Sequence, residues 1–208
     1  MHPQDHITYS CYGGSIDSDT LHNVVIDGYL HTKNEVNGYK KDDELSGKRV
    51  QVYYHPDKSH LLINYRGTDD LNDVYTDLRM FFGDKSGRRF SHGKEVTDKA
   101  IDKYAEYQPN VTLIGHSLGH QIGKEANKHR KEEMISVNPA ILPADLLDKQ
   151  DEKNTIVRTK LDPVSALHFF QPYKRDENTV TIGSTSYNPI AEHSSETLER
   201  LKDKQIGV

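Results

Sequence analysis

The sequence has few of the features that mark disulfide-rich, metal-binding, nucleic-acid-binding or membrane proteins. Its one cysteine, Cys11, excludes an intrachain disulfide framework and a zinc site built from cysteines. The net charge of -5 provides no general attraction to phosphate backbones, so nucleic acid is not an expected partner. No apolar run approaches the length of a transmembrane segment, and the N-terminus shows no signal-peptide core. We therefore expect a soluble protein, with no compartment assigned.

The length and the order of apolar segments predict the fold class. A chain of 208 residues suits one substantial core and is short for two, so we expect residues 1–208 to form one domain. In the second half, segments of strand length alternate with segments of helical period, which predicts an α/β protein with a mostly parallel sheet and helices on both faces. Helices are predicted at residues 93–107, 118–130, 144–150 and 194–204.

The first half of the chain predicts fewer regular elements. Apolar runs at residues 49–55 and 60–67 flank "PDKS", whose proline and aspartate suit a tight turn, so these runs predict a hairpin. The polar stretch at residues 31–48 is predicted to be a surface loop. The first 45 residues carry no motif that points to a function.

The segment "LIGHSLGH" has the form of a nucleophile elbow. An apolar strand runs into Gly115 and a helical segment follows Gly119, so Ser117 would lie on a sharp turn with its hydroxyl exposed. The flanking glycines provide clearance for the strained serine, and the Leu118 N–H at the helix N-terminus can stabilise a developing oxyanion. A glycine turn with a capping serine is the alternative interpretation of His116–Leu118 and its two glycines.

A base and an acid are expected after the serine, in the order acid then histidine. His193 lies between the last strand and a helical segment, where the loops at the carboxyl ends of strands converge, and it is the preferred base. His168 is the alternative, although it lies only six residues after the best acid, Asp162. His120 and His129 lie on the helix that leaves the elbow, too close in sequence to reach back over the hydroxyl.

Asp162 is the preferred acid because it ends the apolar strand "NTIVRTKL" and Pro163 stops that strand. An aspartate in this place can accept the histidine Nδ1–H bond that fixes the working tautomer. The alternative is a strand-end aspartate that makes only a local turn bond. A second oxyanion donor is expected after an earlier strand, where Gly67 and Thr68 end "INYRG" and Thr68 offers both its N–H and its hydroxyl.

Three blocks, "LLINYRGTDDLNDVYTDL", "VTLIGHSLGH" and "KLDPVSAL", resemble the signature blocks of the class 3 lipases. These are α/β-hydrolases that act on acylglycerols and phospholipids, and "EHSS" resembles the segment around their catalytic histidine. The resemblance spans about residues 49–200. It implies the following set: Ser117 as nucleophile, Asp162 as acid, His193 as base, Thr68 and Leu118 as oxyanion donors, Arg66 as support for the oxyanion loop, and a mobile lid over residues 69–86.

Two departures from the family pattern concern the packing of the helix after the elbow and the expected substrate. His120 and Gln121 follow the elbow where the family usually has a small residue. The predicted lid, residues 69–86, includes Asp69, Asp70, Asp73 and Asp77, whose negative charges would resist close approach to an anionic lipid surface. We therefore expect short or medium acyl chains and little activation at a lipid–water interface.

The sequence thus predicts a monomeric carboxylic ester hydrolase that cleaves lipid esters through an acyl-serine intermediate. Its substrate is a lipid ester, either dispersed or at a membrane or micelle surface, and no cofactor is expected. No metal is expected either, because the pair His116 and His120 has no third ligand in view. Two alternatives stay open: an inactive binding or structural protein that kept the fold, and an acyltransferase on the same scaffold.

Overall fold

The computed structural model describes residues 16–68, 87–149, 152–172 and 178–201. Eight strands in these ranges form a single sheet in which spatial order follows chain order. The strands are β1 Glu35–Val36, β2 Tyr39–Lys41, β3 Val50–His55, β4 His60–Tyr65, β5 Asn110–His116, β6 Glu133–Val137, β7 Asn154–Thr159 and β8 Thr179–Ile182. Strands β1 to β4 pair antiparallel, and β4 to β8 pair parallel.

The hairpin predicted from residues 49–67 is present as β3 and β4. The prediction of a surface loop at residues 31–48 was wrong, because β1 and β2 form a second hairpin within it. Val36 and Tyr39 are buried and pair with each other across that hairpin. Asn37 and Gly38 join the two strands with positive φ angles of 49° and 84°, the conformation that short hairpin turns require.

Four α-helices accompany the sheet in the described residues: α1 Ser18–Leu30, α2 Arg88–Tyr104, α3 Gly119–Asn127 and α4 Pro189–His193. Shorter 3-10 segments lie at Ala105–Tyr107, Pro143–Leu147, Ala166–Phe170 and Ser195–Leu201. The segments predicted as helices at 144–150 and 194–204 are therefore 3-10 turns where they are described. Helix α1 was not predicted; it begins after Asp17, whose carboxylate accepts the Thr20 N–H at 2.6 Å. None of the described helices is both long enough and apolar enough to cross a membrane.

The helices cover both faces of the sheet. Successive strand residues point to opposite faces, so each central strand contributes buried side chains to both. On one face, Leu62, Ile114 and Ile135 pack with Val24 of α1 and Leu198. On the other face, the neighbouring positions of the same strands pack against α2 and α3; this second cluster includes Ile63, Leu113, Met134, Val96 and Ile122. The sheet is therefore the middle layer of three, as predicted for an α/β protein.

Helix α1 is anchored by the buried carboxylate of Asp27. Its oxygens accept hydrogen bonds from Tyr53 Oη at 2.7 Å, Lys41 Nζ at 2.6 Å and the backbone N–H groups of Thr32 and Lys33. Burial acts to raise the pKa of Asp27, but the bonds from Lys41, Tyr53 and Lys33 outweigh it and leave the pKa lowered. The charged form is therefore the one that the fold stabilises.

We expect Asp27→Asn to lower the free energy of unfolding by about 3 kcal/mol at neutral pH, since it removes one partner of a buried ion pair. The pKa of Asp27 is lower in the folded protein than in the unfolded chain. Its contribution to the free energy of unfolding is therefore fully present above the unfolded pKa, and it is lost as pH falls through the folded pKa. The wild type and the variant should thus converge in stability in strongly acidic solution. Urea unfolding across that pH range measures this; the control, Glu95→Gln, removes an exposed pair with Lys99. A constant difference between wild type and Asp27→Asn at all pH values would contradict the assignment.

The parallel strands bring the predicted site residues to one edge. Pairs such as Tyr65 with Gly115 and Val137 with Val157 align the carboxyl ends of β4 to β7. The segments that carry Thr68, Ser117 and Asp162 leave the sheet at this edge, where α/β proteins build their sites.

Candidate active site

Ser117 occupies the turn between β5, which ends at His116, and α3, which begins at Gly119. Its φ angle is 55°, a strained left-handed value for a residue with a side chain. Neighbouring backbone holds that conformation: the Ser117 N–H donates to Val137 O at 3.0 Å, and Ser117 O accepts the Ala140 N–H at 3.1 Å. This is the geometry of a nucleophile elbow.

Close packing explains why glycines flank the serine. A Cβ atom on Gly119 would lie 1.9 Å from Tyr65 O, and one on Gly115 would lie 2.7 Å from His120 Cα. Both neighbours are backbone atoms of adjacent elements, so neither can yield without moving β4 or α3. The clearance that was expected at Gly115 and Gly119 therefore serves strand–helix packing around the turn.

The structure brings His193 and Asp162 to Ser117 in a continuous hydrogen-bonded chain. His193 Nε2 lies 2.8 Å from Ser117 Oγ, and His193 Nδ1 lies 2.9 Å from Asp162 Oδ1. All three side chains are buried, so the exposure that the sequence predicted for the Ser117 hydroxyl is not observed. Ser117, His193 and Asp162, the predicted nucleophile, base and acid, are thus within the distances that proton transfer from a serine hydroxyl needs.

The loop after β7 holds the Asp162 carboxylate in place. Asp162 Oδ1 accepts the Val164 N–H and Oδ2 accepts the Ser165 N–H, both at 3.0 Å. The local turn bond considered as an alternative role is therefore present together with the bond to His193. Pro163, whose ring fixes its φ angle, lies between Asp162 and these two amides.

His193 ends helix α4, which a buried glutamate ties to the rest of the loop. Glu192 Oε1 accepts the N–H groups of Thr185 and Ser186, and Arg200 donates to both of its oxygens. Burial acts to raise the pKa of Glu192, but these bonds lower it. The sequence analysis did not single out Glu192, although it directly precedes His193 in "EHSS".

Asn138 is a second residue that the sequence analysis missed. It follows β6 with a positive φ of 40° and is buried. Its Oδ1 accepts the Thr159 N–H at 2.8 Å, and its Nδ2 lies 3.4 Å from His193 O. Asn138 therefore connects the ends of β6 and β7 to the backbone that carries the histidine.

The imidazole of His116 stacks on that of His193, with ring centroids 5.5 Å apart and an interplanar angle of 29°. Burial, and to a smaller extent the neighbouring His193, lower the pKa of His116 to about 3. His116 is therefore neutral at physiological pH, and its ring adds no positive charge beside His193. Its Nε2 lies 3.2 Å from His193 O.

The predicted oxyanion side of the site lies against the serine. A Cβ atom on Gly67 would come within 2.8 Å of Ser117 Cβ, so this loop passes directly over Ser117. Thr68 is the next residue and is half-buried. Leu118 precedes the first residue of α3, and its side chain is buried. Arg66 is buried, with its guanidinium 5.5 Å from the ring centre of Tyr29.

The alternative base, His168, has its ring nitrogens in contact with residues other than Ser117. It belongs to the 3-10 segment Ala166–Phe170, and the two nitrogens contact Gln171 Oε1 at 2.7 Å and Thr179 Oγ1 at 3.2 Å. The predicted lid, residues 69–86, lies outside the described residues, so its role stays a prediction.

Comparison with known proteins places the fold among lipases. No family model and no curated protein matches the sequence. In structure, the chain is similar to the Lip2 lipase from Yarrowia lipolytica, with a TM-score of 0.50 and 16% identity over 79% of this chain and 77% of that one. A triacylglycerol lipase from Penicillium expansum gives a TM-score of 0.47 and 16% identity over 80% of this chain and 77% of its own.

At this level of identity the Lip2 likeness establishes a fold. Together with the single, mostly parallel eight-stranded sheet, it assigns the chain to the α/β-hydrolase fold, as predicted. The fold is lipase-like. Membership of the class 3 lipases stays a prediction.

Proposed function

We propose that this protein is a serine hydrolase that cleaves the carboxylic esters of lipids, of the acylglycerol or phospholipid type. The observation that carries the proposal is the buried chain of hydrogen bonds from Ser117 through His193 to Asp162, on an elbow with a strained serine. A structural or binding protein has no need to keep a serine at φ 55° beside a histidine that points at its hydroxyl.

In the proposed reaction, His193 Nε2 takes the proton of Ser117 Oγ as the oxygen attacks the ester carbonyl carbon. The carbonyl π bond opens, and the N–H groups of Thr68 and Leu118 bind the resulting oxyanion, each contributing roughly 3 kcal/mol in comparable sites. As the oxyanion re-forms the carbonyl and the ester C–O bond breaks, the imidazolium gives its proton to the leaving alcohol, and the acyl group stays on Ser117 Oγ. Asp162 stabilises the positive charge on the imidazolium until that proton is given up. A water molecule then attacks the acyl carbon while His193 takes its proton. His193 returns that proton to Ser117 Oγ as the carboxylic acid leaves.

Apolar side chains around the site support a lipid as the substrate. Leu161, directly before Asp162, is 47% exposed; Ile190, on the helix that carries His193, is 48% exposed; and Tyr187 is 97% exposed. Such side chains on the loops next to a site offer contact to an acyl chain or to a lipid surface.

We further propose that residues 1–208 form one domain that acts as a monomer.

We expect the highest kcat/KM on p-nitrophenyl esters of short or medium acyl chains and little or no jump in rate when substrate passes its solubility limit. An interfacial jump needs a lid with a broad apolar inner face, whereas residues 69–86 carry Asp69, Asp70, Asp73 and Asp77. The measurement is initial rate against concentration across the solubility limit, for an ester series together with one phospholipid and one triglyceride.

Ser117→Ala, tested on the same substrates, controls for background hydrolysis. A steep rise at the solubility limit would contradict the expected lack of interfacial activation. Product ester formed with an added alcohol, in preference to the free acid, would identify an acyltransferase. No Ser117-dependent turnover of any ester in the series would refute the proposed function.

A further inference from the structure

The hydroxyl of Tyr29 lies between the two sides of the proposed active site. Tyr29, near the end of α1, places its Oη 2.6 Å from His116 Nδ1 and 3.1 Å from the backbone N of Gly67. On its other side, His116 Nε2 lies 3.2 Å from His193 O. These three contacts form one continuous path from the loop over the nucleophile to the backbone of the base.

Only one set of proton positions satisfies all three contacts. The carbonyl of His193 can only accept, so His116 Nε2 must carry the proton. A neutral imidazole then has an unprotonated Nδ1, which accepts the O–H of Tyr29. The Tyr29 oxygen keeps its lone pairs for Gly67, whose N–H can only donate. Every donor in the path therefore meets an acceptor.

The two ends of the path fix the parts of the site that must be placed most accurately. Gly67 passes so close to Ser117 that a methyl group would not fit between them, and Thr68, a proposed oxyanion donor, comes next. At the other end, the His193 backbone sets where the imidazole lies between Ser117 and Asp162. A small displacement at the Gly67 end would lengthen the proposed bond from the Thr68 N–H to the oxyanion, and one at the His193 end would lengthen the bond to Ser117 Oγ.

We propose that Tyr29, acting through His116, is a positioning residue of the hydrolase. Its hydroxyl fixes the positions of the Gly67–Thr68 oxyanion loop and of the His193 backbone relative to Ser117. The role rests on the proposed function, since it concerns the same site. Tyr29 itself touches Gly67 and His116 and needs no contact with the substrate. The Tyr29 ring also lies 5.5 Å from the Arg66 guanidinium, a contact that does not involve the hydroxyl.

The test compares Tyr29→Phe with a matched control, Tyr39→Phe. Tyr39 Oη makes the same kind of contact, 2.8 Å from His60 Nδ1, but His60 starts β4 at the opposite edge of the sheet. We expect Tyr29→Phe to lower kcat roughly tenfold with KM nearly unchanged, because the lost bond positions groups that act in the transition state. Tyr39→Phe should lose stability but keep the wild-type kcat.

Nitrogen NMR of the histidine side chains tests the path in the wild type, without relying on a variant that folds. His116, assigned by the loss of its signals in His116→Gln, should show a protonated Nε2 and an unprotonated, hydrogen-bonded Nδ1 at neutral pH. A protonated Nδ1 would overturn the proposed path. In Tyr29→Phe, the Nδ1 signal should move toward the value of a nitrogen without a donor.

The outcomes separate the inference from the function on which it rests. If the wild type hydrolyses esters and Tyr29→Phe keeps the wild-type kcat, the positioning role is wrong and the proposed function stands. Equal losses of kcat in Tyr29→Phe and Tyr39→Phe would likewise overturn it, because they would indicate a general effect on stability. A wild type that neither hydrolyses esters nor reacts at Ser117 would overturn the function itself.

Discussion

Replacing His193 with alanine is expected to lower kcat for ester hydrolysis by roughly four to six orders of magnitude. The side chain is buried, and its Nε2 lies 2.8 Å from Ser117 Oγ. Without it, no group in that position takes the hydroxyl proton, and no group returns a proton to the leaving alcohol. The loss should fall on kcat, since His193 acts on the reacting atoms.

The matched control is His168→Ala, which removes another buried histidine from the same part of the chain. His168 contacts Gln171 and Thr179, so its loss should cost stability and leave kcat per folded molecule near the wild-type value. Unfolding curves for both variants separate lost catalysis from lost fold. An inactive His168→Ala beside an active His193→Ala would show that the base was assigned to the wrong histidine.

The elbow and its partners were predictable because their signals are local or follow chain order. Strand, glycine, serine, glycine and helix are contiguous around Ser117, so the turn can be predicted from a few residues. Asp162 is marked by the end of an apolar strand and by Pro163. His193 is marked by its place after the last strand. The parallel register of the sheet then brings these separate segments to one edge.

The residues that support the site were not predictable in this way. Tyr29 lies 87 positions before His116 in the sequence. It reaches that ring because α1 packs across the sheet, with Val24 of the helix in the same core cluster as Leu62 of β4. Asn138 has no sequence mark beyond its place after a strand. Their roles come from long-range packing, which the periodicity of one segment does not encode.

The hairpin of β1 and β2 was missed for a different reason, because the sequence does contain a local signal for its turn. Asn37-Gly38 is a strong hairpin-turn dipeptide, but it lies in a stretch rich in lysine and aspartate. In β1 and β2 only Val36 and Tyr39 are buried, and the strands are too short for an alternating pattern to be recognised in the sequence. The polar composition reflects an edge hairpin with one buried residue on each strand.

Reaction with a fluorophosphonate tests most directly whether Ser117 is an activated nucleophile. Ser117 Oγ would attack phosphorus as His193 takes its proton, and fluoride would leave, so that one stable phosphonyl group forms on the serine. Mass spectrometry of the digested protein locates the group, with Ser117→Ala as the unreactive control and His193→Ala reacting far more slowly. The account predicts a single label on Ser117 of the folded wild type. A label on any other residue, or none on folded protein with several lipids and detergents, would contradict it.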